Sequence, residues 1–332
     1  MAYEMKDALR KEDRITVVSK GRTCSFIPSN PWVAEGWRES ADIQVDLVPV
    51  FERKGIAFRT QGAKRIHPDQ NRIELNSGPD IDYDFLVIGA GPELAFDEIE
   101  GFGPAAHTNS ICEVGDALKT RESFETLAAT GGPAIIGAAQ GASCFGPAYE
   151  FAFTLDTALR RRKSRDKVPI TFVTPEPYVG HLGLDGVGDA KSLLEGAMRD
   201  KHINWIINAR VKRVDASVMQ VEEVGEDGAV KKTHELPFAF SVMLPAFRGV
   251  EAVRGIEGLT NPRGFILADK HQRNPKFRNI FSIGVCVAIP VKSRHRGGTR
   301  APIGERRSPR QQSRDLLAGA HRAHAEMGRY AR

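Results

Sequence analysis

A cysteine follows a glycine-containing turn in the stretch GPAIIGAAQGASCFGPAYEF, residues 132–151. A dinucleotide-binding turn has the pattern G-x-G-x-x-G, because its second glycine lets the backbone approach the pyrophosphate and its third lets helix pack on strand. Here Gly137 is kept, but Ala139 and Ala142 occupy the other two positions. We therefore predict a nucleotide-type turn that is closed to dinucleotide. The thiol of Cys144 adds a group that can act as a nucleophile or a redox centre when it is ionised.

The chain has four cysteines, and the other three are Cys24, Cys112 and Cys286. They form no C-x-x-C pair and no regular spacing, so neither a disulfide framework nor a zinc site is predicted, and no metal is expected. For each cysteine taken alone, a buried residue without chemical function is the competing interpretation.

The elements around the turn alternate between strand and helix. YDFLVIGAG, PAIIGAA and VPITFVTPE are apolar, β-branched runs typical of buried strands, and CFGPAYEFAFTLDTALRRR has the apolar face of a packed helix. This rhythm predicts the α/β class with parallel sheets covered on both faces. The length of 332 residues suits two Rossmann-like dinucleotide-binding domains.

The charge of the chain is unevenly distributed. Residues 291–332 carry eleven Lys or Arg against three Asp or Glu, a net +8, and the preceding 290 residues carry 36 against 39, a net −3. This basic tail is poor in core-forming residues and is predicted to be disordered, with polyanion binding as one use for it. The run RRRKSRDK, residues 160–167, is basic too, but its place at a helix C-terminus favours a role in offsetting the helix dipole, so nucleic-acid binding is not expected.

No run of 18 or more apolar residues is present, and the first residues, MAYEMKDALRKEDR, have no apolar core of a signal peptide. These features predict a protein without a membrane-spanning helix that stays in the cytoplasm unless it docks on a membrane face.

Several blocks of the sequence resemble the sulfide:quinone oxidoreductase family, which belongs to the FAD-dependent pyridine nucleotide-disulfide oxidoreductase superfamily. The blocks lie between residues 2 and 290 and read FIPSNPWVAEGWRE, ASCFGPAYEFAF, EPYVGHLGLDGVGD, LPFAFSVMLPAFRGV and NIFSIGVCVAIP. The resemblance implies a flavoprotein that oxidises sulfide through redox-active cysteines, passes the electrons to quinone, and lies peripherally on the cytoplasmic face of the membrane.

The resemblance also implies roles for single residues. Cys144 matches a redox cysteine beside the flavin, and Cys112 in SICEVGDA matches a second cysteine on the sulfide side. Glu150 matches a carboxylate that takes up protons, and His181 in YVGHLG matches a histidine of the sulfide pocket. A histidine found near the second cysteine in relatives is Asp116 here.

The positions that match FAD contacts are Ser19, Lys20, Gly62, Ala63, Gly284 and Val285. On this basis residues 1–106 and 261–290 form the FAD-binding domain, expected to lack its first strand and glycine turn, and residues 107–260 form a second Rossmann domain that bears the redox cysteines. After Pro290 the sequence diverges from the family, so the segment with which relatives dock on the membrane is not recognised.

Three hypotheses follow for function. The first is a sulfide:quinone oxidoreductase, with sulfide and quinone as substrates and FAD as cofactor. The second is a related flavoprotein, either the flavin subunit of a sulfide dehydrogenase or an NADH:quinone-type oxidoreductase, although Ala139 argues against NADH. The third is a non-catalytic chain whose basic tail binds polyanions. A homo-oligomer is compatible with each of them.

Overall fold

The computed structural model describes residues 1–184 and 186–288, so the predicted basic tail, residues 291–332, lies outside the described part. The chain divides into two compact units. The first comprises Met1–Thr23, Asp46–Glu93 and the described residues from Arg248 onward, and the second comprises Cys24–Val45 and Leu94–Phe247. The second unit thus contains residues 24–45 and 94–106, which the sequence assigns to the FAD-binding domain, and the domain boundaries stay a prediction.

The α-helices of the described residues are α1 (Ala2–Ala8), α2 (Asn30–Ala34), α3 (Leu47–Arg53), α4 (Val114–Thr130), α5 (Gly146–Arg161) and α6 (Ala190–Asp200). The strands of the first half are β1 (Thr16–Val18), β2 (Thr23–Ser25), β3 (Gln44–Asp46), β4 (Ala57–Arg59), β5 (Ala63–His67), β6 (Arg72–Leu75), β7 (Ile81–Asp82), β8 (Leu86–Ile88) and β9 (Pro92–Leu94). Those of the second half are β10 (Ala134–Ala138), β11 (Ile170–Val173), β12 (Ile203–Ile206), β13 (Ala209–Val214), β14 (Val218–Val224), β15 (Val230–Pro237), β16 (Phe240–Leu244), β17 (Phe247–Gly249) and β18 (Ile280–Ser282).

A four-stranded parallel sheet in the order β12-β11-β10-β16 forms the centre of the second unit. Successive side chains of a strand point to opposite faces, and here both faces are covered. On one face Ile136 and Phe240 join a core completed by α4 and α5, and on the other Ile135 and Met243 join a second core. All residues of β10 and β16 are therefore buried.

The second core lies between the parallel sheet and an antiparallel sheet in the order β13-β14-β15. Val211, Val221 and Met219 contribute its far side. The sequence predicts a strand over β13 but not this three-stranded layer, because its strands alternate apolar with charged residues and carry a weaker signal than an apolar run.

The first unit contains two separate pairs of parallel strands, β1 with β4 and β8 with β18, and an antiparallel sheet in the order β5-β6-β7. Its core includes Ile66, Ile73, Leu259 and Ile280. Together with the second unit, these pairs confirm the predicted α/β class with parallel sheets.

Candidate active site

The turn that follows β10 begins the candidate site. A Cβ on Gly137 would lie 1.9 Å from the carbonyl oxygen of Val173, so glycine is required where β10 passes β11. Ala139 is buried in the second core, and its N–H donates to the carbonyl of Leu244 (2.9 Å). The side chain of Gln140 holds the turn from its other side, since it donates to the carbonyl of Val211 and accepts from the N–H of the same residue, both at 2.9 Å. The methyl group predicted to crowd a pyrophosphate is thus part of the core.

Cys144 lies on the surface between this turn and α5. The predicted helix starts two residues later, at Gly146, so the thiol precedes the helix rather than opening it. Partial burial raises the pKa of the Cys144 thiol, and the N–H of Gly146, which bonds to the sulfur, opposes the shift. The thiol is therefore mainly protonated at neutral pH while remaining accessible.

Cys112 lies in the segment that leads into α4, in the same unit as Cys144. Its N–H donates to the hydroxyl of Ser110 (3.1 Å), and Ser110 is itself fixed by Thr120, whose hydroxyl donates to its carbonyl (2.8 Å). Burial raises the pKa of the Cys112 thiol to about 11; Ser110 opposes this shift, whereas the negative charges of Asp116, Glu113 and Cys144 add to it. Cys112 packs against the same core as Ala142 and Phe145, which stand on either side of Cys144 in the sequence.

Glu150 is an exposed residue of the first turns of α5. One helical turn further on, the hydroxyl of Thr154 donates to the carbonyls of Glu150 (3.1 Å) and Phe151 (3.3 Å). The charge of Glu150 acts on a second carboxyl group, Glu35, and raises the pKa of that group. The predicted proton acceptor therefore has an acidic neighbour that the sequence interpretation did not single out.

Glu35 is 2% exposed and ends α2. Burial raises its pKa to about 8; Thr154 lowers it, Glu150 raises it and Arg161 lowers it. Thr154 lies close enough to lower the pKa of Glu35, but its hydroxyl donates to the carbonyls of Glu150 and Phe151. Neither oxygen of Glu35 has a hydrogen-bond partner among the described residues. Glu35 is consequently a protonated acid at neutral pH. A glutamate inside the apolar run PWVAEGW is the sequence signal that could have identified it.

His181 occupies a tight turn after β11. Its carbonyl accepts the N–H groups of Leu184 (2.9 Å) and Gly186 (3.0 Å), and its ring meets the ring of Tyr178 edge-on at 5.2 Å between centroids. A Cβ on Gly183 would lie 3.5 Å from the ring of Phe145, the residue after Cys144. The turn that carries His181 is therefore packed beside the segment that carries Cys144.

The structure thus brings the four predicted catalytic residues, Cys112, Cys144, Glu150 and His181, into one unit. The Cys144 segment and the His181 turn follow neighbouring parallel strands, β10 and β11, so they lie at the carboxyl edge of the sheet, where α/β folds bind their ligands. The arrangement offers two thiols, an exposed carboxylate and an imidazole within one unit.

The six predicted cofactor contacts all lie in the first unit. Ser19 and Lys20 follow β1; the N–H of Ser19 donates to the carbonyl of Arg59 (2.9 Å), and its carbonyl accepts the N–H of Gly62 (3.0 Å). Ala63 comes next as the first residue of β5. These hydrogen bonds place four of the six residues side by side.

Gly284 and Val285 follow β18 and begin a 3₁₀ turn, Gly284–Cys286. Both are exposed, and a Cβ on Gly284 would meet no atom within 4 Å. The Ser19–Lys20 segment and this turn each stand at the carboxyl end of a parallel strand; the first carries the exposed cation Lys20, and the second has an open backbone at Gly284. These properties fit the diphosphate of a dinucleotide such as FAD.

A cavity of about 880 Å³ lies at the opposite end of α5 from Cys144 and is lined by Arg160, Lys163, Arg165, Asp166, Pro169 and His202. Its basic residues are the predicted run at the helix C-terminus. Arg160 and Arg165 bind the fully buried Asp156 at 2.9 and 2.6 Å, and Lys201 binds it at 3.2 Å. These ion pairs give Arg160, Arg165 and Lys201 a structural role. The cavity lies at the other end of α5 from the Cys144 thiol.

Comparison with known proteins identifies the family. The chain matches the pyridine nucleotide-disulphide oxidoreductase family over residues 2–314. It belongs to this family. It is also similar to the sulfide-quinone reductase of Aquifex aeolicus, with 38% identity over 291 residues that cover 87% of this chain and 66% of the relative. The mitochondrial sulfide:quinone oxidoreductase of Schizosaccharomyces pombe is 23% identical over 304 residues, which cover 90% of this chain and 65% of the relative.

A solved structure gives the same result. The X-ray structure of the sulfide:quinone oxidoreductase from Aquifex aeolicus superimposes with a TM-score of 0.86 at 36% identity, covering 99% of this chain and 74% of that one. NDH2 from Plasmodium falciparum in complex with NADH, at 14% identity and a TM-score of 0.67, shares the fold alone. The predicted resemblance to sulfide:quinone oxidoreductases is confirmed.

Two further findings concern residues 1–184 and 186–288. None of their helices has the length and apolar character needed to cross a membrane. Nor do these residues group three or more histidine, cysteine, aspartate or glutamate side chains in a position to hold a metal ion. The four cysteines are all free thiols.

Proposed function

We propose that this chain oxidises sulfide with bound FAD and passes the electrons to a quinone. The observation that carries the proposal is that two free thiols, Cys112 and Cys144, lie in one unit, the second of them just after the glycine turn at the carboxyl edge of its parallel sheet. The relatives named sulfide-quinone reductase support the same substrates. The chain spans 66% and 65% of the length of these relatives, so we propose their reaction for this chain.

In this proposal, oxidation of the two thiols to a Cys112–Cys144 disulfide would give sulfide a bond to attack. Attack at the more exposed sulfur, that of Cys144, would leave a persulfide on Cys144 and release the thiolate of Cys112. When bound, the flavin supplies a two-electron acceptor, which is what oxidation of sulfide to sulfane sulfur requires. Since burial keeps both thiols protonated at neutral pH, a base must remove a proton before either sulfur can act as a nucleophile. The carboxylate of Glu150 and the imidazole of His181 are the groups that take this proton.

The FAD would be held by the six predicted contact residues, Ser19, Lys20, Gly62, Ala63, Gly284 and Val285. The exposed ammonium of Lys20 offsets phosphate charge, and the open turn at Gly284 admits the diphosphate to backbone N–H groups. We place the protein in the cytoplasm or peripherally at the cytoplasmic face of the membrane. The membrane face is included because a quinone dissolves in lipid.

Oxidation of NADH is the competing activity within this fold. The closed turn disfavours it, because Ala139 is built into the core and Gln140 is tied to β13 where an open backbone would be needed. Polyanion binding by the basic tail concerns residues outside the described part of the chain.

The test is the visible absorbance of the purified chain, loaded with FAD and mixed anaerobically with sulfide. We expect the flavin bands to bleach in the wild type and to recover when a quinone is added. Cys144→Ser should abolish the bleaching. Cys24→Ser removes another exposed thiol of the same unit and should bleach like the wild type.

Bleaching by NADH but not by sulfide would replace the proposal with the NADH-dependent activity. A Cys144→Ser variant that bleaches as fast as the wild type would show that the thiol is not part of the reaction. A protein that takes up no FAD from solution would refute the cofactor assignment.

A further inference from the structure

A buried hydrogen-bond cluster joins α5 to the residues that follow β11. Its centre is the carboxylate of Glu176, which is 3% exposed. One oxygen of this carboxylate accepts the hydroxyl of Tyr149 (2.6 Å) and the hydroxyl of Thr174 (2.7 Å). Tyr149 belongs to α5 and precedes Glu150, whereas Thr174 directly follows β11. The cluster therefore joins the helix that begins near Cys144 to the strand that leads to His181.

The same cluster holds the backbone on both sides of His181. The hydroxyl of Tyr149 accepts the N–H of Gly180 (2.9 Å), and the second oxygen of Glu176 accepts the N–H of Leu182. His181 is the residue between these two donors. A single side-chain pair thus fixes the main chain immediately before and immediately after the predicted histidine of the sulfide pocket.

The turn needs this support, because its backbone is unusual. Gly180 has a φ of +87°, and Leu182 has a φ of +55°, in the left-handed region that a leucine rarely adopts. Such a conformation is unfavourable for a leucine and persists only where the surroundings enforce it. The bond from Leu182 to Glu176 is the enforcing contact at the strained residue.

The chemistry of the pair is suited to a permanent connection. Burial and the hydrogen bond to Glu176 both raise the pKa of the Tyr149 hydroxyl, so it stays a donor throughout the physiological range. Its ring is held by the ring of Phe172, with 4.5 Å between the centroids. The hydrogen bonds to a carboxylate are also stronger than those between neutral groups.

We propose that Glu176 and Tyr149 are positioning residues that hold the His181 turn against the segment of Cys144. The catalytic value of this role rests on the proposed function, whereas the structural role does not. Neither residue is among the predicted site residues, and the role of Glu176 follows from its bonds to Tyr149 and Leu182. A substitution that removes the hydroxyl of Tyr149 and keeps its ring should loosen the turn without disturbing the parallel sheet.

The test variant is Tyr149→Phe in the full-length chain, which removes one hydroxyl and keeps the ring contact with Phe172. The matched control is Tyr83→Phe in the first unit, because the buried hydroxyl of Tyr83 has no hydrogen-bond partner among the described residues. Hydrogen exchange is measured at the N–H groups of Gly180 and Leu182, and the ring signals of His181 are followed by NMR of isotope-labelled histidine.

For Tyr149→Phe we expect exchange at these two N–H groups to rise about tenfold or more, which corresponds to the loss of about 1.4 kcal/mol of local stability. The ring signals of His181 should shift or broaden, and the FAD-loaded variant should bleach more slowly with sulfide. Exchange within β10 should stay at the wild-type rate. Tyr83→Phe should change none of these quantities.

Unchanged exchange at Gly180 and Leu182 in Tyr149→Phe would overturn the proposal. If that variant does not fold, Thr174→Val removes a different donor to the same oxygen of Glu176, and exchange equal to the wild type at both N–H groups would overturn it as well. A loosened turn with an unchanged bleaching rate would overturn the catalytic part. If the wild type does not react with sulfide but Tyr149→Phe still loosens the turn, the proposed function fails and the positioning role stands.

Discussion

Strands β10 and β1 both belong to parallel pairs, yet their surroundings differ. Strand β10 lies inside a four-stranded sheet, and each of its five residues is buried. Strand β1 pairs with β4 in a two-stranded sheet, and its residues are exposed or half-buried. Both strands are rich in β-branched or small apolar residues, so composition does not distinguish them.

The difference shows that a parallel strand gains its stability from what covers its two faces. In the second unit, helices cover one face and the antiparallel sheet β13-β14-β15 covers the other. Burial on this scale makes each misplaced atom or charge costly. Perturbations of the second unit should therefore have larger effects than equivalent ones in the first.

The largest effect is expected for Gly137→Ala. Its Cβ would lie 1.9 Å from the carbonyl oxygen of Val173, so the backbone of β10 or β11 must move, at a cost of about 3 kcal/mol in the free energy of unfolding. Urea unfolding followed by tryptophan fluorescence measures this, since Trp32, Trp37 and Trp205 all lie in the second unit.

The matched control for that variant is Gly196→Ala within α6, where a Cβ would meet no atom within 4 Å. It should stabilise the unit by about 0.5–1 kcal/mol, because alanine loses less backbone entropy in a helix than glycine. Equal stabilities of the two variants would contradict the close approach of β10 and β11.

Hydrogen exchange should separate the two units directly. We expect the N–H groups of Ile135 and Ile136 in β10 to exchange about 100-fold more slowly than those of Val17 and Val18 in β1, because opening β10 exposes both cores. Native-state exchange read by mass spectrometry or NMR gives both rates in one experiment. Similar protection in the two strands would mean that burial does not control their stability.

Ion pairs offer a second comparison between the units. Arg165→Met should lower the unfolding free energy by about 2 kcal/mol, because Asp156 is fully buried and the hydrogen bonds from Arg160, Arg165 and Lys201 outweigh burial in lowering its pKa. Lys64→Met, which breaks the exposed pair with Glu74 in the first unit, should leave stability almost unchanged. Thermal unfolding of both variants measures the two losses of stability. A larger loss in Lys64→Met than in Arg165→Met would contradict this expectation.

The smallest effect concerns pH. The pKa of Glu35 rises from its usual value of 4.5 to about 8 on folding, so the folded state binds an additional proton between these values. The stabilising contribution of Glu35 is complete below the unfolded pKa and is lost as the pH rises through the folded one. Between pH 6 and pH 7 the wild type should lose about 1.3 kcal/mol more stability than Glu35→Gln, as measured by urea unfolding at each pH.

Glu74 in the first unit provides the control with the opposite sign. Lys64 and then His67 lower its pKa, so its contribution is present above the unfolded pKa and is lost as the pH falls. Glu74→Gln should therefore change stability only on the acidic side. Parallel pH profiles of the wild type and Glu35→Gln would show that Glu35 is not a buried acid.

The fold was predictable where the sequence signal is local. Apolar runs identified β8, β10 and β11, and the apolar face of CFGPAYEFAFTLDTALRRR identified α5. The antiparallel layers were not predicted, since strands such as β15 have charged residues at most positions and depend on their neighbours for burial. Pairing of distant segments is a long-range property that periodicity alone does not contain.

The candidate site divides in the same way. The four predicted catalytic residues were named from motifs, and their roles stay predictions. Glu35 was missed although it lies inside the apolar run PWVAEGW, whereas Glu176 and Tyr149 were missed because the sequence does not show which hydrogen bonds they make. The pKa of Glu35 and the hydrogen bonds of Glu176 and Tyr149 depend on the groups packed around them.

The sequence by itself determined the α/β class, the family resemblance and the glycine turn altered at Ala139, because residue type and spacing along the chain suffice for these. Only the tertiary structure decided that burial raises the pKa of the Cys112 and Cys144 thiols, and that Tyr149 and Glu176 bond to the main chain before and after His181. The physical reason is that a pKa and a hydrogen-bond network depend on burial and on partners distant in sequence, such as Tyr149 and Gly180, which are 31 residues apart.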